Sequence, residues 1–176
     1  MAIGPEKEEI PQGDTSMAMR PEKEEIPQGD TFMAMRPEKE EIMKIGFIGC
    51  GNMASAMIGG ILKKQVASPE EILASARTEA SRRKAEEAFG IAVTEDNRRV
   101  AAFADLLILA VKPFYYQEVI AEIKDSVRQE TVVVSITPGK TLAWLEEQFG
   151  RPMRLVRTMP NTPALVGEAM GCVCGG

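Results

Sequence analysis

From residue 43 onward the apolar positions of this chain gather into short runs separated by amphipathic stretches. Ile45, Phe47 and Ile48 form the first run and predict a strand; Met53, Met57, Ile58, Ile61 and Leu62 then recur at helical spacing and stop at Lys63-Lys64. Further runs at Ile72–Ser75, Ile91–Val93, Leu106–Val111, Val132–Ile136 and Leu155–Val156 read as strands, with helical patterns between them. Strands that are apolar on both faces, each separated by a helix, predict a parallel sheet covered on both sides. The fold class expected is α/β, a doubly wound parallel sheet.

The first strand runs straight into Gly49-Cys50-Gly51-Asn52-Met53-Ala54, a G-x-G-x-x-A turn that opens a helix. In such a turn Gly49 permits the tight bend, Gly51 lets backbone approach a phosphate without a Cβ clash, and Ala54 lets the helix lie close to its strand. The helix then aims unpaired N–H groups at the anion. Small residues here would also suit close packing alone, but strand, turn and helix come in the order a pyrophosphate site requires. The domain is therefore read as a Rossmann-type NAD(P)-binding domain over residues 43–166.

Residues 1–42 have a different character. Pro5 to Arg20 returns as Pro21 to Arg36, with Ser16 becoming Phe32, and starts again at Pro37. The repeat is rich in charge and Pro and too poor in apolar residues for a core, so disorder is expected. This leader holds 5 Lys and Arg against 11 Asp and Glu, whereas residues 43–176 hold 16 against 15. The acidity belongs to the leader, the rest is near neutral, and no nucleic-acid partner is indicated. The codons of Lys39-Glu40-Glu41 can spell a purine-rich ribosome-binding sequence just before Met43. The expectation is that translation starts at Met43 and that residues 1–42 are a conceptually translated, non-native tandem repeat; a flexible interaction tail is the alternative. Neither a secretory signal nor an apolar run of membrane-spanning length is present, which predicts a cytoplasmic protein with no membrane partner. Cys50, Cys172 and Cys174, in a chain without His, supply neither a disulfide framework nor a zinc ligand set.

The ends of the strands carry the remaining chemistry. In a doubly wound sheet an Asp or Glu closing the second strand accepts from the adenosine ribose and repels a 2′-phosphate. Here that place reads Ala74-Ser75-Ala76-Arg77-Thr78, without an acid; Arg77, with Arg82, Arg83 and Lys84 in the next helix, could neutralise a 2′-phosphate, and Arg77 is the cation best placed to do so. NADP(H) is the cofactor expected, with NAD(H) as the alternative. Arg83 and Lys84 read as the solvated face of the next helix. Ala110-Val111-Lys112-Pro113 and Ser135-Ile136-Thr137-Pro138-Gly139 close two further strands at the edge where ligands bind, although both also fit ordinary strand termination. Met159-Pro160-Asn161-Thr162-Pro163 is a stiff loop with a polar pair between two prolines.

Together these strings resemble pyrroline-5-carboxylate reductase, which reduces a cyclic imine with a nicotinamide cofactor to complete proline biosynthesis. The resemblance rests on Phe47 to Ala54, Leu109 to Pro113, Val134 to Ile136 and Met159 to Pro163, and covers Met43 to about Gly167. It implies that Ile48, Gly49, Cys50, Gly51, Asn52 and Met53 hold the pyrophosphate and that Ala76 and Arg77 lie beside the adenosine ribose. It further implies that Asn97 contacts the cofactor, that Ala110, Val111, Lys112 and Pro113 run along the dinucleotide, and that Ile136 and Thr137 form another cofactor loop. Asn161 and Thr162 would sit near the nicotinamide and the imine. Thr137-Pro138 departs from the small residues many members carry there, which weakens that contact. The substrate implied is 1-pyrroline-5-carboxylate, and hydride transfer to its imine carbon needs positioning more than a protein nucleophile. No catalytic acid or base and no metal ligand is assigned.

The family continues into a helical domain that dimerises and lines the substrate pocket, whereas this chain stops at Gly176. Residues 167–176 are read as the start of that domain, and the chain as a cofactor-binding half that does not turn over substrate alone, its homo-oligomer lost or weakened. Two alternatives stay open: another NADP-dependent oxidoreductase of the same fold, such as a coenzyme F420-type reductase or a hydroxyacid dehydrogenase, and a non-catalytic nucleotide-binding module.

Overall fold

A computed structural model describes residues 43–161 and 171–176. The leader repeat and Thr162 lie outside the described residues. The chain alternates strand and helix from β1 (Ile45–Ile48), α1 (Asn52–Lys63), β2 (Ile72–Ser75) and α2 (Glu79–Phe89) to β3 (Ala92–Thr94), α3 (Asn97–Phe103) and β4 (Leu106–Leu109). It continues with α4 (Tyr116–Ile123), β5 (Val132–Ser135), α5 (Leu142–Phe149), β6 (Arg154–Thr158) and β7 (Val173–Gly175). The strands form one sheet in the order β3-β2-β1-β4-β5-β6-β7, parallel throughout except for the β6–β7 pair. The doubly wound parallel sheet read from the sequence is the one observed.

Each strand sends alternate side chains to opposite faces, so two cores form. On one face Leu73, Leu107, Leu109, Val133 and Leu155 meet Val100 and Ala101 of α3, Tyr116 and Ile120 of α4, and Leu145 and Phe149 of α5. On the other, Ile45, Phe47, Ile72, Ala74, Ile108 and Val134 meet Ala54 and Ile58 of α1, with Phe89 of α2 packed alongside.

The helix ends follow local chemistry. Thr78, Asp96 and Thr141 cap α2, α3 and α5 by accepting first-turn backbone N–H groups, and α2 and α5 stop at Gly90 and Gly150 in left-handed backbone. Helix α1 closes differently: Val66 N–H donates to Ile61 O and Gln65 N–H to Leu62 O, with Gln65 rather than a glycine in left-handed backbone at φ 55°.

Differences from the sequence expectation have physical causes. β4 and β5 stop at Leu109 and Ser135 because Ala110-Val111 and Ile136-Thr137 leave the ladder at the carboxyl edge. β3 runs one residue later than expected, from Ala92 to Thr94, with Ile91 buried just ahead of it. β6 is longer than its apolar pair Leu155-Val156, since ladder pairing recruits Arg154, Arg157 and Thr158. Where the sequence placed the opening of a helical domain, residues 171–176 carry β7, antiparallel to β6 with Arg157 opposite Cys174. Its Val-Cys-Gly is too short to signal a strand by periodicity and forms because the edge of β6 offers unpaired backbone groups.

At the amino edge Asp105 joins three strands: its N–H donates to Lys44 O (2.8 Å), its carboxylate accepts from Lys44 N–H (2.8 Å), and its C=O accepts from Val132 N–H (2.9 Å). In the middle of β1, Gly46 lies so close to α3 that a Cβ there would stand 2.7 Å from the Ala104 Cβ and 3.0 Å from Val100 Cγ1. Neither neighbour can swing away. Gly46→Ala is therefore expected to overpack this contact and cost about 1–3 kcal/mol of stability, measured as a lowered midpoint in denaturant unfolding; an unchanged midpoint would contradict the close approach.

Candidate dinucleotide-binding site

Because β1 to β6 are parallel, the loops that follow them open on one edge of the sheet, where ligands bind in doubly wound folds. The β1–α1 turn lies at its centre. Gly49 has φ +93°, and a Cβ on it would stand 2.9 Å from Ala110 O and 3.0 Å from Val111 Cγ1. Two independent constraints, backbone hand and space, thus require glycine there. The turn is held against the end of β4 by Ala110 N–H donating to Ile48 O at 2.9 Å. Gly51 differs: its backbone is extended, and among the described residues no atom lies within 4 Å of the place its Cβ would occupy. The space beside it is open.

Helix α1 begins at Gly51 with no side-chain cap and no acid in its first turn, in contrast to the capped starts of α2, α3 and α5. First-turn N–H groups without a cap, at the positive end of the helix dipole, fit an anion. Ile48 is buried beneath the turn, Asn52 is exposed and Met53 half-buried. Burial pushes the Cys50 thiol above its ordinary pKa, with a smaller opposing effect from its hydrogen bond with Ser55, so it stays protonated near neutral pH and offers no thiolate.

A hydrogen-bond chain runs from this turn across three strand ends. Gly49 N–H donates to Ser75 Oγ (3.2 Å), Ser75 O–H to Asn97 Oδ1 (2.7 Å), and Asn97 Nδ2 to Glu122 Oε2 (2.8 Å). A carboxylate only accepts, so Glu122 dictates that the Asn97 amide turns its nitrogen to α4 and its oxygen to Ser75. Asn97, assigned to the cofactor by resemblance, thus also positions the glycine turn. Ser75 and Glu122 were not singled out in the sequence. A polar residue closing the apolar run Ile72–Ser75 was a signal for the first, while Glu122 on an amphipathic helix offered none.

The loop after β2 carries Ala76 and Arg77. Arg82 donates to Ala76 O (3.0 Å) and Arg77 O (3.1 Å) and pairs with Glu95 (3.4 Å), tying the loop to its helix. Arg77 is exposed; its Nη2 donates to the Tyr115 hydroxyl at 3.0 Å and its guanidinium carbon lies 4.3 Å from the centre of that ring. Arg83 pairs with Glu79 on the solvated face of α2, and Lys84 is exposed beside it. After β4, Lys112 and Pro113 are exposed and Pro113 opens a 3-10 turn through Tyr115. Behind that turn Tyr116 is buried, donates to Leu109 O (2.6 Å) and accepts from Ser135 Oγ (3.2 Å). Burial pushes its phenol up to about 12, so it acts as a neutral strut. Ile136 is half-buried and Thr137 buried at the end of β5; Asn161 is exposed beyond the end of β6. Two depressions of about 320 and 370 Å³, the first lined by Gln129, Glu130, Pro152, Met153 and Arg154 and the second by Ala143, Glu146, Glu147, Gly150, Arg151 and Pro152, lie away from this edge. They hold none of the expected site residues.

Comparison with known proteins agrees with this geometry. Residues 44–139 match the model of a family described as NADP oxidoreductase, coenzyme F420-dependent. The chain belongs to that family. Over 130 residues it is 39% identical to pyrroline-5-carboxylate reductase of Escherichia coli (strain K12), a match covering 74% of this chain and 48% of that protein. The same reductase from Methanosarcina acetivorans is 38% identical over 133 residues, covering 76% of this chain and 49% of that protein. Among solved structures, a pyrroline-5-carboxylate reductase from Coxiella burnetii superposes with a TM-score of 0.73 at 33% identity, over 77% of this chain and 50% of that one. A Plasmodium falciparum pyrroline carboxylate reductase with NADP bound gives 0.65 at 29% identity, over 76% and 48%. The chain spans about half the length of the curated relatives it matches. Among the described residues no helix is long and apolar enough to cross a membrane.

Since a side chain at Gly51 would enter open space from unstrained backbone, Gly51→Val should fold with near-normal stability and yet block a phosphate from the α1 N-terminus. The expected outcome is an unchanged thermal midpoint with loss of measurable dinucleotide affinity by calorimetric titration.

Proposed function

We propose that residues 43–161 bind NADP(H) along the carboxyl edge of the sheet, and that the protein to which they belong reduces 1-pyrroline-5-carboxylate to L-proline in the cytoplasm. The observation that carries the reading is the uncapped α1 N-terminus beside the open face of Gly51, in a chain 39% identical to the Escherichia coli reductase over 130 residues. The pyrophosphate then sits over Ile48 to Met53 and is met by backbone N–H groups. The adenosine ribose lies beside Ala76, with Arg77 meeting the 2′-phosphate by charge-assisted hydrogen bonds. Asn97 uses its remaining amide capacity on the same side, and Ala110 to Pro113, with Ile136 and Thr137, flank the dinucleotide.

Bound NADPH supplies the hydride that the imine carbon accepts. For the chain's own residues the task is to orient and to keep water out: Asn161 and Thr162 are assigned to the nicotinamide and substrate end. The sequence contains no His, and Cys50 is held as a thiol, which fits a reaction resting on proximity rather than on a protein proton shuttle. Substrate turnover and oligomer formation are assigned to the longer protein. A second reading, an NADP-dependent reductase acting on a different substrate, is favoured by the description of the matched family.

Titration of the full 1–176 chain with NADPH and NADH tests the cofactor half of the proposal; preferential NADPH binding is expected, and folded protein that binds neither would overturn it. Joining the chain to the C-terminal half of a pyrroline-5-carboxylate reductase and following NADPH consumption tests the substrate half. Consumption with another imine or carbonyl but not with 1-pyrroline-5-carboxylate would support the second reading. Arg77→Glu should weaken NADPH by about 10- to 100-fold through loss of a charge-assisted contact and like-charge repulsion while leaving NADH within about twofold. Equal weakening of both cofactors would remove Arg77 from the 2′-phosphate.

A further inference from the structure

We propose that Tyr115 is a positioning residue that sets the cofactor preference of this chain by aiming Arg77. The inference rests on the NADP(H) reading above and adds to it a residue whose chemistry the sequence did not disclose.

An exposed arginine on a loop ordinarily samples many rotamers, and ordering it costs free energy when its ligand arrives. Arg77 is not in that situation. Its Nη2 donates to Tyr115 Oη at 3.0 Å while its guanidinium carbon lies 4.3 Å from the Tyr115 ring centre. The hydroxyl therefore holds one edge of the fork while the ring lies beside its carbon. A guanidinium has five N–H donors, so this arrangement leaves the others for a second partner.

The two residues come from different strand ends, β2 and β4, which flank β1 and its glycine turn. Their backbones are separately anchored. On the β2 side, Arg82 holds the Ala76 and Arg77 carbonyls at 3.0 and 3.1 Å. On the β4 side, Pro113 starts the turn, Tyr115 N–H donates to Lys112 O at 3.0 Å, and the next residue, Tyr116, is buried and hydrogen-bonded to Leu109 O. Phe114 lies against Tyr115, ring centres 4.3 Å apart at 50°. Tyr115 thus stands on an anchored backbone, and Arg77 rests on its ring at the adenosine end of the crevice.

Pre-ordering of this kind lowers the cost of engaging a phosphate and is worth nothing to a cofactor lacking one. Tyr115 therefore acts on NADPH through Arg77 and not on NADH. Loss of an exposed cation–π contact and its hydrogen bond corresponds to roughly 3- to 10-fold in affinity.

Calorimetric titration of the full 1–176 chain with NADPH and NADH decides it, using Tyr115→Ala, Tyr115→Phe, Arg77→Ala and the Arg77→Ala/Tyr115→Ala double variant. Tyr115→Ala should weaken NADPH by roughly 3- to 10-fold and leave NADH within about twofold. Tyr115→Phe keeps the ring and should lose only about two- to threefold for NADPH, a reading that survives if Tyr115→Ala fails to fold. In the Arg77→Ala background, adding Tyr115→Ala should change neither affinity. Equal weakening of NADPH and NADH by Tyr115→Ala, or additive effects in the double variant, would mean that Tyr115 touches the cofactor itself or merely supports the loop, and would overturn the positioning role. A wild-type preference for NADPH that is undiminished in both Tyr115 variants would overturn it while leaving the NADP(H) reading intact; wild-type protein that binds neither cofactor would overturn both.

Discussion

The close approach of β1 to its surroundings is the constraint on which the carboxyl edge depends. β1 lies between β2 and β4 and is buried at every position, and the strand and the turn after it each touch their neighbours at a place where a side chain would not fit. Gly46 lets α3 lie against the strand, and Gly49 lets the turn fold back on Ala110. With the strand seated in this way, the turn can leave the sheet at one height and direction, and the N-terminus of α1 points to the open face beside Gly51. The placement of that N-terminus is a consequence of how tightly the strand beneath it is packed.

A parallel sheet then concentrates polar groups at the same edge. Each strand end has backbone groups that leave the ladder and must find partners. Here they are met by short-range devices: Arg82 serves the β2 loop, Thr94 and Asp96 serve the turn into α3, and Tyr116 serves Leu109 O. The Ser75–Asn97–Glu122 chain joins these local solutions into one unit that ends on a carboxylate. Its direction is dictated by that acceptor, so a helix on one face of the sheet orients an amide at the mouth of the crevice.

Charge is handled by neighbours as well. Arg83 and Glu79 satisfy each other on the exposed surface, where such a pair is worth little. Arg77, only six residues away, has no carboxylate partner among the described residues and leans on an aromatic ring instead. That difference in partner separates a surface-solvating arginine from one available to an anion, although the two are alike in composition and both exposed.

Much of this was legible in the chain itself. The β1 run, the glycine turn and the α1 stripe are contiguous, and their requirements are local: backbone freedom at Gly49, a small residue at Ala54, apolar spacing along the helix. The alternation of strands and helices likewise determined a doubly wound sheet, because runs apolar on both faces can be buried only between two helical layers. What the sequence could not show is which distant residues meet. Ser75 and Asn97 are 22 residues apart, Asn97 and Glu122 are 25, and Arg77 and Tyr115 are 38. They come together only because the sheet order places β1 between β2 and β4 and so brings the loops after β2, β3 and β4 to one edge. β7 is decided the same way, since three residues with no pattern of their own become a strand once β6 presents an edge to pair with. Periodicity within a segment reports the environment of that segment, whereas pairing between segments is settled by the packing of the whole domain.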